Sequence, residues 1–140
     1  MNKKALLIGA GIIAVAAIGA VTYSSAQKKK WTINTVVKIT GIAWFNRMEQ
    51  GVKEYAKSSG NNATQTGPSQ ADAAQQIRVI EDLIAKKPDA LAVVPMDPAT
   101  LEAVFAKAAA RGIKIITHEA DSQKNTLYDI EAFDNVAFGA

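Results

Sequence analysis

The chain has 140 residues, of which 49% are hydrophobic and 21% charged; this is ordinary for one globular domain and excludes a chain that is disordered throughout. The net charge of +3 comes from the amino terminus, because from Trp31 onward 11 Lys and Arg residues face 13 Asp and Glu residues. A slightly acidic folded part argues against a nucleic-acid partner. The absence of cysteine excludes disulfides, thiolate metal sites and cysteine nucleophiles.

The first 26 residues have the organisation of an export signal. Lys3 and Lys4 precede an unbroken apolar run of 17 residues (5–21), and small residues fit a signal-peptidase cut after Ala26. The run is slightly shorter than a comfortable membrane span, so an uncleaved membrane anchor is the alternative. Residues 27–30 form a basic linker. In either case we expect the folded part, residues 31–140, to lie in the periplasm, either free or anchored to the cytoplasmic membrane.

After the linker, the hydrophobic pattern alternates between strand and helix. We predict strands over residues 32–39, 63–66, 90–94, 113–117 and 126–132, with helices over 44–58, from 69 to before Pro88, and from 98 to 112. This alternation with short connections predicts an α/β fold, a doubly wound parallel sheet with helices on both faces.

The expected ends of the helices follow from their polar residues and glycines. Ser69 is predicted to cap the second helix, with Asp72 in its first turn, and Asp97 to cap the third, before Pro98. Gly60 and Gly112 are expected at the carboxyl ends of the first and third helices. The first helix should pack through one apolar face, made of Phe45, Met48, Val52, Tyr55 and Ala56.

Polar or aromatic residues follow three of the predicted strands. Lys38 ends the first strand, the tripeptide at 95–97 follows the third, and His118, Glu119 and Asp121 follow the fourth. Parallel strands direct their carboxyl ends to one edge of the sheet, where open α/β sheets bind ligands. We therefore expect these residues to line a common crevice.

The candidate site residues suit a sugar-like ligand. Trp44 and Phe45 could stack on a sugar ring, although Phe45 also fits the core of the first helix. Carboxylates such as Glu119 and Asp121 can accept hydroxyl hydrogen bonds, or serve as general acid and base. Lys38 and Glu119 could offset each other's desolvation before ligand binds, the alternative being that each is solvated.

Several chemistries lack their sequence signals. One histidine at this spacing matches no zinc pattern. The loop after the first strand lacks the glycines of a dinucleotide or triphosphate site, and no nucleophile elbow is present. We expect no metal, no cofactor, no catalytic residue and no enzymatic activity.

As a set, these motifs resemble those of a known family. The motifs are the export signal, Lys38 with Trp44-Phe45, Gly67-Pro68, the segments 94–98 and 111–117, and the segment 129–135. Over residues 31–140 the chain resembles the substrate-binding proteins of bacterial ABC sugar importers, the ribose-type periplasmic binding proteins, and looks closest to the branch with autoinducer-2 and rhamnose receptors.

The resemblance implies a two-lobed receptor that closes on a sugar or autoinducer-like ligand and is then recognised by an ABC transporter permease. It implies that Lys38 and Glu119 hydrogen-bond ligand hydroxyls and that Trp44 and Phe45 line the pocket. Glu119 stands where the family more often has Asp, and His118 where autoinducer-2 receptors have an aromatic residue. The resemblance therefore leaves the identity of the ligand open.

The carboxyl end of the sequence indicates a fragment, and other functions compete with sugar import. Asp134-Asn135 is typical of a helix start, and residues 136–140 make only a first turn. This predicts an incomplete, amino-terminal lobe, a fragment of a longer protein.

The alternatives to a sugar-import receptor are the extracytoplasmic sensing domain of a membrane-anchored signalling protein and a hydrolase using Glu119 and Asp121. A sugar-responsive repressor is disfavoured, since the apolar segment replaces its helix-turn-helix.

Overall fold

A computed structural model describes residues 29–131 together with residues 137 and 139. The predicted export signal and the predicted helix start after Asp134 lie outside the described residues. The described part contains five strands and three helices: β1 (Thr32–Val36), α1 (Ala43–Ser59), β2 (Asn62–Thr66), α2 (Ala73–Ala85), β3 (Ala90–Val93), α3 (Pro98–Ala109), β4 (Lys114–His118) and β5 (Tyr128–Ile130).

The strands form one parallel sheet in the order β2-β1-β3-β4-β5. Neighbouring residues of a strand point to opposite faces of the sheet, and these two faces are covered unequally. On one face α2 and α3 pack over Val36, Leu91 and Ile115 in the larger core cluster, whereas on the other α1 contributes Phe45 to a small cluster with Val37 and Val94. The prediction of a doubly wound α/β sheet is confirmed.

Most of the predicted helix ends agree with the structure. Asp97 caps α3, accepting a hydrogen bond from the Thr100 backbone N–H at 2.6 Å, and Pro98 is the first helical residue. Gly60 ends α1 in a left-handed conformation, with φ of 72°, as a residue without Cβ does readily.

Four local predictions were wrong. Ser69 does not cap α2: Asp72 does, because its carboxylate accepts from the Gln75 N–H at 2.7 Å. Tyr55 is 45% exposed, so it is not part of the packed face of α1. Residue 110 is the carboxyl cap of α3, and Gly112 follows in the connection. The fifth strand spans only Tyr128–Ile130 and so starts after Thr126, whose hydroxyl donates to the Tyr128 carbonyl at 2.9 Å.

Candidate functional site

An ion pair joins the carboxyl ends of two strands that are not neighbours. The Lys38 Nζ lies 3.0 Å from the Glu119 Oε2, and the two side chains are 30% and 35% exposed. Lys38 follows β1 and Glu119 follows β4, so the pair reaches across the end of β3, which separates them in the sheet. The structure thus brings together the two residues expected to offset each other's desolvation. A ligand hydroxyl could replace either half of this partly exposed pair.

The backbone of Glu119 is strained. Its φ is +58°, in the left-handed region that non-glycine residues adopt at a cost of about 1 kcal/mol. The surrounding structure holds it there, since its N–H donates to the Ile130 carbonyl at 3.3 Å. Strain of this kind concentrates at functional sites, where it fixes the direction of a side chain. Here it accompanies the direction of Glu119 toward Lys38.

The adjacent aromatic residues have different environments. Trp44, in the first turn of α1, is 51% exposed, whereas Phe45 is 4% exposed and packs against Val37 and Val94. The Phe45 ring therefore packs under the ends of β1 and β3 on the α1 side of the sheet, in accord with its place on the apolar face of the helix. Trp44 offers the broader surface for stacking on a ligand.

Four acidic residues and one histidine lie where β4 and β5 end. Partial desolvation, then a hydrogen bond that the protonated Glu131 carboxyl donates to Asp129, and then the negative charges of Asp129 and Asp121 raise the pKa of Glu131, while His118 opposes the shift. Asp121 is exposed. The imidazole of His118 lines an apolar groove on the α1 face of the sheet, and within the described residues its Nδ1 has no hydrogen-bond partner.

Sequence reasoning missed Asp129 and Glu131 as site candidates. Asp129 accepts a hydrogen bond from the Ala120 N–H at 3.3 Å, which ties β5 to the loop that carries Glu119 and Asp121. Their position in the chain was the available signal. Asp129 lies in the strand that follows the last of the three clusters and Glu131 directly after it, and parallel pairing with β4 brings the carboxyl end of that strand to the same edge.

Gln76, also missed from the sequence, connects two of the strand ends from the α2 side of the sheet. Its side chain is fully buried; the Nε2 donates to the carbonyls of Val37 at 3.1 Å and Val94 at 2.8 Å. Its Oε1 accepts from the Met96 N–H at 2.8 Å. The nearby Asp97 is engaged as a helix cap, so its carboxylate is less available to a ligand than that of Glu119.

Two structural features are absent from the part of the chain that the structure describes. No group of three or more His, Asp or Glu side chains there is arranged to hold a metal ion. None of the described helices is long and apolar enough to cross a membrane.

The fold agrees with a family comparison. A model of the periplasmic binding protein domain matches residues 33–140, and the chain belongs to this family. The ribose import binding protein RbsB of Bacillus subtilis is 28% identical over 116 residues, which are 83% of this chain and 38% of that protein.

Solved structures give the same picture. An ABC transporter solute-binding protein from Agrobacterium vitis, bound to α-D-tagatopyranose, is 29% identical with a TM-score of 0.70, over 79% of this chain and 40% of that one. LsrB from Clostridium saccharobutylicum, in complex with AI-2, is 27% identical with a TM-score of 0.62, over 64% of this chain and 28% of that one.

The chain spans less than half the length of these relatives. They are solute-binding proteins, which confirms the prediction of a non-enzymatic class. The similarity to sugar-binding relatives confirms the resemblance at the level of the family; the autoinducer-2 and rhamnose branch is not singled out, since ribose- and tagatose-binding relatives match as well.

Proposed function

We propose that this chain supplies one lobe of an extracytoplasmic receptor that binds a sugar or sugar-like molecule and delivers it to an ABC transporter permease. The observation that carries the proposal is the Lys38–Glu119 pair at the carboxyl edge of the sheet, with Trp44 exposed on the helix that follows β1. A cation, a carboxylate and an aromatic face are the groups with which proteins hold a polyhydroxylated ring. The family of binding proteins supports the extracytoplasmic location.

Within this proposal, Lys38, Glu119 and Trp44 contact the ligand, His118 and Asp121 flank them, and Phe45 supports the site from the core. Residues 1–26 serve as the export signal or anchor, residues 27–30 as the linker and residues 31–140 as the lobe. The sensing alternative has no particular observation in its favour, since the relatives named are import or transporter binding proteins. An autoinducer-2 ligand is one option, supported by the likeness to LsrB.

The test uses the two tryptophans as opposite reporters, because Trp44 lies at the proposed site and Trp31 at the other edge of the sheet. The ¹⁵N-labelled chain is titrated with D-ribose, D-tagatose and autoinducer-2 while the indole N–H signals are followed by NMR. One lobe makes only part of a two-lobed site, so we expect a dissociation constant of about 1 mM or weaker. The Trp44 signal should shift saturably with one of the three, and the Trp31 signal should stay in place.

A matched pair of variants assigns the effect to Glu119. Glu119→Gln should abolish the shift, whereas Glu81→Gln should preserve it, because Glu81 forms a comparable ion pair, 2.8 Å from the Lys107 Nζ, between α2 and α3. Glu119→Ala is expected to abolish binding with the fold intact. Unchanged affinity in Glu119→Gln would remove this residue from the site, and shifts confined to Trp31 would contradict the proposed location.

A further inference from the structure

The edge of the sheet opposite the candidate site is strongly basic. Six cationic residues lie in or directly after the segments that lead into β1, β3 and β4, namely Lys29, Lys30, Lys86, Lys87, Arg111 and Lys114. Asp89 is the one acidic residue in those described segments. We call this surface the basic edge.

The basic edge is concave. A cavity of about 810 Å³ there is lined by Lys29, Trp31, Lys87, Asp89, Arg111 and Lys114, together with Pro88, Gly112 and Ile113. The Lys29 Nζ lies 4.1 Å from the centre of the Trp31 ring and 2.6 Å from the Asp89 Oδ1. The other oxygen of Asp89 accepts from the Thr32 N–H at 2.9 Å.

The single carboxylate of the basic edge is therefore already engaged. The contact from Lys29 lowers the pKa of Asp89 most, and the hydrogen bond from the Thr32 N–H lowers it further. Lys87, Arg111 and Lys114 are exposed, and among the described residues none of them forms an ion pair. These three cations have no counterion in the described part and are therefore available to bind an anion from another molecule.

The carboxyl edge has the opposite charge. The connections there and the end of β5 carry Asp72, Asp97, Glu119, Asp121 and Glu131, while Lys38 is already paired with Glu119. The lobe is thus polarised from one edge of its sheet to the other. An extended anionic surface would attract the basic edge and repel the carboxyl edge, and so would orient the lobe.

We propose that the basic edge docks on a membrane surface of anionic phospholipids. Three observations favour this occupant. Each Lys or Arg near such a surface contributes favourably, and the three cations that form no ion pair with other described residues share one edge. Trp31 is 45% exposed beside them, and tryptophan prefers the boundary between headgroups and acyl chains. In the sequence the apolar run at residues 5–21 ends ten positions before Trp31, so the basic edge is the part of the lobe next to it along the chain.

Docking in this orientation directs the carboxyl edge, with its candidate site, toward the aqueous phase. The inference goes beyond the proposed function, because it concerns a different surface and does not require that a sugar bind. The charge argument is the same for a cleaved and an uncleaved amino terminus, since the cations and Trp31 belong to residues 29–114.

The test measures burial of Trp31 on vesicles in the full chain. Trp44→Phe leaves Trp31 as the sole tryptophan, and its collisional quenching by acrylamide is measured with phosphatidylglycerol and with phosphatidylcholine vesicles. We expect phosphatidylglycerol to lower the quenching constant severalfold, phosphatidylcholine to have little effect, and about 1 M NaCl, where the Debye length is about 3 Å, to abolish the protection. Insertion of the apolar run would be common to both lipids, so the difference reports the attraction of cations to the lipid, and the variants below assign it to the basic edge.

Two charge-matched variants separate this edge from net charge. In the Trp44→Phe background, Lys87→Gln with Arg111→Gln and Lys114→Gln should remove the protection. Arg47→Gln with Lys53→Gln and Arg78→Gln, on α1 and α2, should preserve it. In the variant Trp31→Phe, Trp44 is the sole tryptophan, and it should stay accessible to acrylamide on phosphatidylglycerol vesicles.

Equal protection by both lipids, or protection that survives in the triple variant of the basic edge, would overturn the proposal. Protection of Trp44 instead of Trp31 would do the same. Protection of Trp31 by soluble polyphosphate but not by phosphatidylglycerol vesicles would assign the cations to a soluble polyanion and reject the membrane.

Discussion

At the scale of single residues, two residues shape the carboxyl edge of the sheet although neither is a proposed ligand contact. Gln76 satisfies three backbone groups at the ends of β1 and β3. Gly67 lies so close to β1 that a Cβ there would be 2.8 Å from both the Cγ2 and the carbonyl oxygen of Val37. One position needs an amide and the other needs the absence of a side chain.

Replacement of Gln76 should be among the most destabilising polar substitutions in the chain. Gln76→Leu removes three hydrogen bonds and buries their backbone partners unpaired, which we expect to lower the free energy of unfolding by about 3 kcal/mol. Urea denaturation measures the change. The neighbouring variant Gln75→Leu, at a partly exposed position, should change it far less; equal losses in the two variants would contradict the role assigned to Gln76.

Two glycines should respond to alanine with opposite signs. Gly67→Ala forces the backbone and Val37 apart, so we expect destabilisation of about 1–3 kcal/mol. Gly51→Ala, inside α1 with nothing within 4 Å of the new Cβ, should stabilise by about 1 kcal/mol through helix propensity. Thermal unfolding of the two variants checks the pair, and stabilisation by Gly67→Ala would refute the close approach.

At the scale of elements, α2 and α3 each begin at an aspartate cap after a strand of the sheet. Their caps determine where each helix starts and so where the preceding strand-end loop stops. α3 also holds the β4–β5 connection: the Glu102 carboxylate accepts hydrogen bonds from the backbone of Lys124 and Asn125 and from the Asn125 side chain. Although burial acts against it, these hydrogen bonds lower the pKa of Glu102.

The two candidate caps of α2 can be distinguished by stability. Asp72→Ala removes the hydrogen bond to the Gln75 N–H, so we expect a loss of about 1 kcal/mol. Ser69→Ala should stay within about 0.5 kcal/mol of the parent, as surface substitutions usually do. The reverse order in chemical denaturation would restore Ser69 as the cap.

The cap of α3 should contribute to acid sensitivity. Hydrogen bonds from Thr100, first from its side chain and then from its backbone N–H, lower the pKa of Asp97 below its ordinary value of 3.8. The folded state therefore binds fewer protons than the unfolded state, so this stability is present above that value and is lost as pH falls through the lowered pKa.

We expect Asp97→Asn, which keeps a good cap but cannot titrate, to unfold less steeply with acid than the parent. Thr100→Val, which keeps only the backbone bond, should move the acid transition to higher pH. Melting temperatures between pH 2 and pH 7 measure both changes. An unchanged acid slope in Asp97→Asn would exclude this contribution.

At the scale of the whole molecule, the sheet has one well-covered face and one that is partly open in the described part. α2 and α3 bury the larger core, whereas α1 covers the other face alone. A groove of about 200 Å³ remains there, lined mostly by apolar residues that include Met48, Val52, Ala92, Ile116 and Ile130. Exposed apolar surface of this kind binds hydrophobic dyes.

The groove predicts strong dye binding by the folded chain. Val52→Glu places a carboxylate against the apolar lining and should lower the fluorescence of bound ANS severalfold at neutral pH. Lys53→Glu, on the exposed side of the same helix turn, should leave it nearly unchanged. Equal fluorescence in the two variants would show that the dye binds elsewhere.

The local patterns in the sequence were sufficient for much of this description. Short apolar runs and helical spacing predicted the five strands and three helices of the described part, because a parallel strand is buried on both faces and a surface helix on one. Asp97-Pro98 predicted the start of α3, since a cap and a first-turn proline act within one turn. The edge assignment of Lys38 and Glu119 followed from parallel strands alone.

Tertiary structure decided what depends on groups far apart in the chain. The choice of Asp72 over Ser69, the exposure of Tyr55 and the burial of Gln76 follow from how each helix meets the sheet, and no local spacing encodes that. Lys38 and Glu119 are separated by 81 positions; they meet because the strand order places β1 and β4 on either side of β3. The sequence by itself determined which elements form and which ends carry chemistry, whereas the order of the strands determined which of those ends meet.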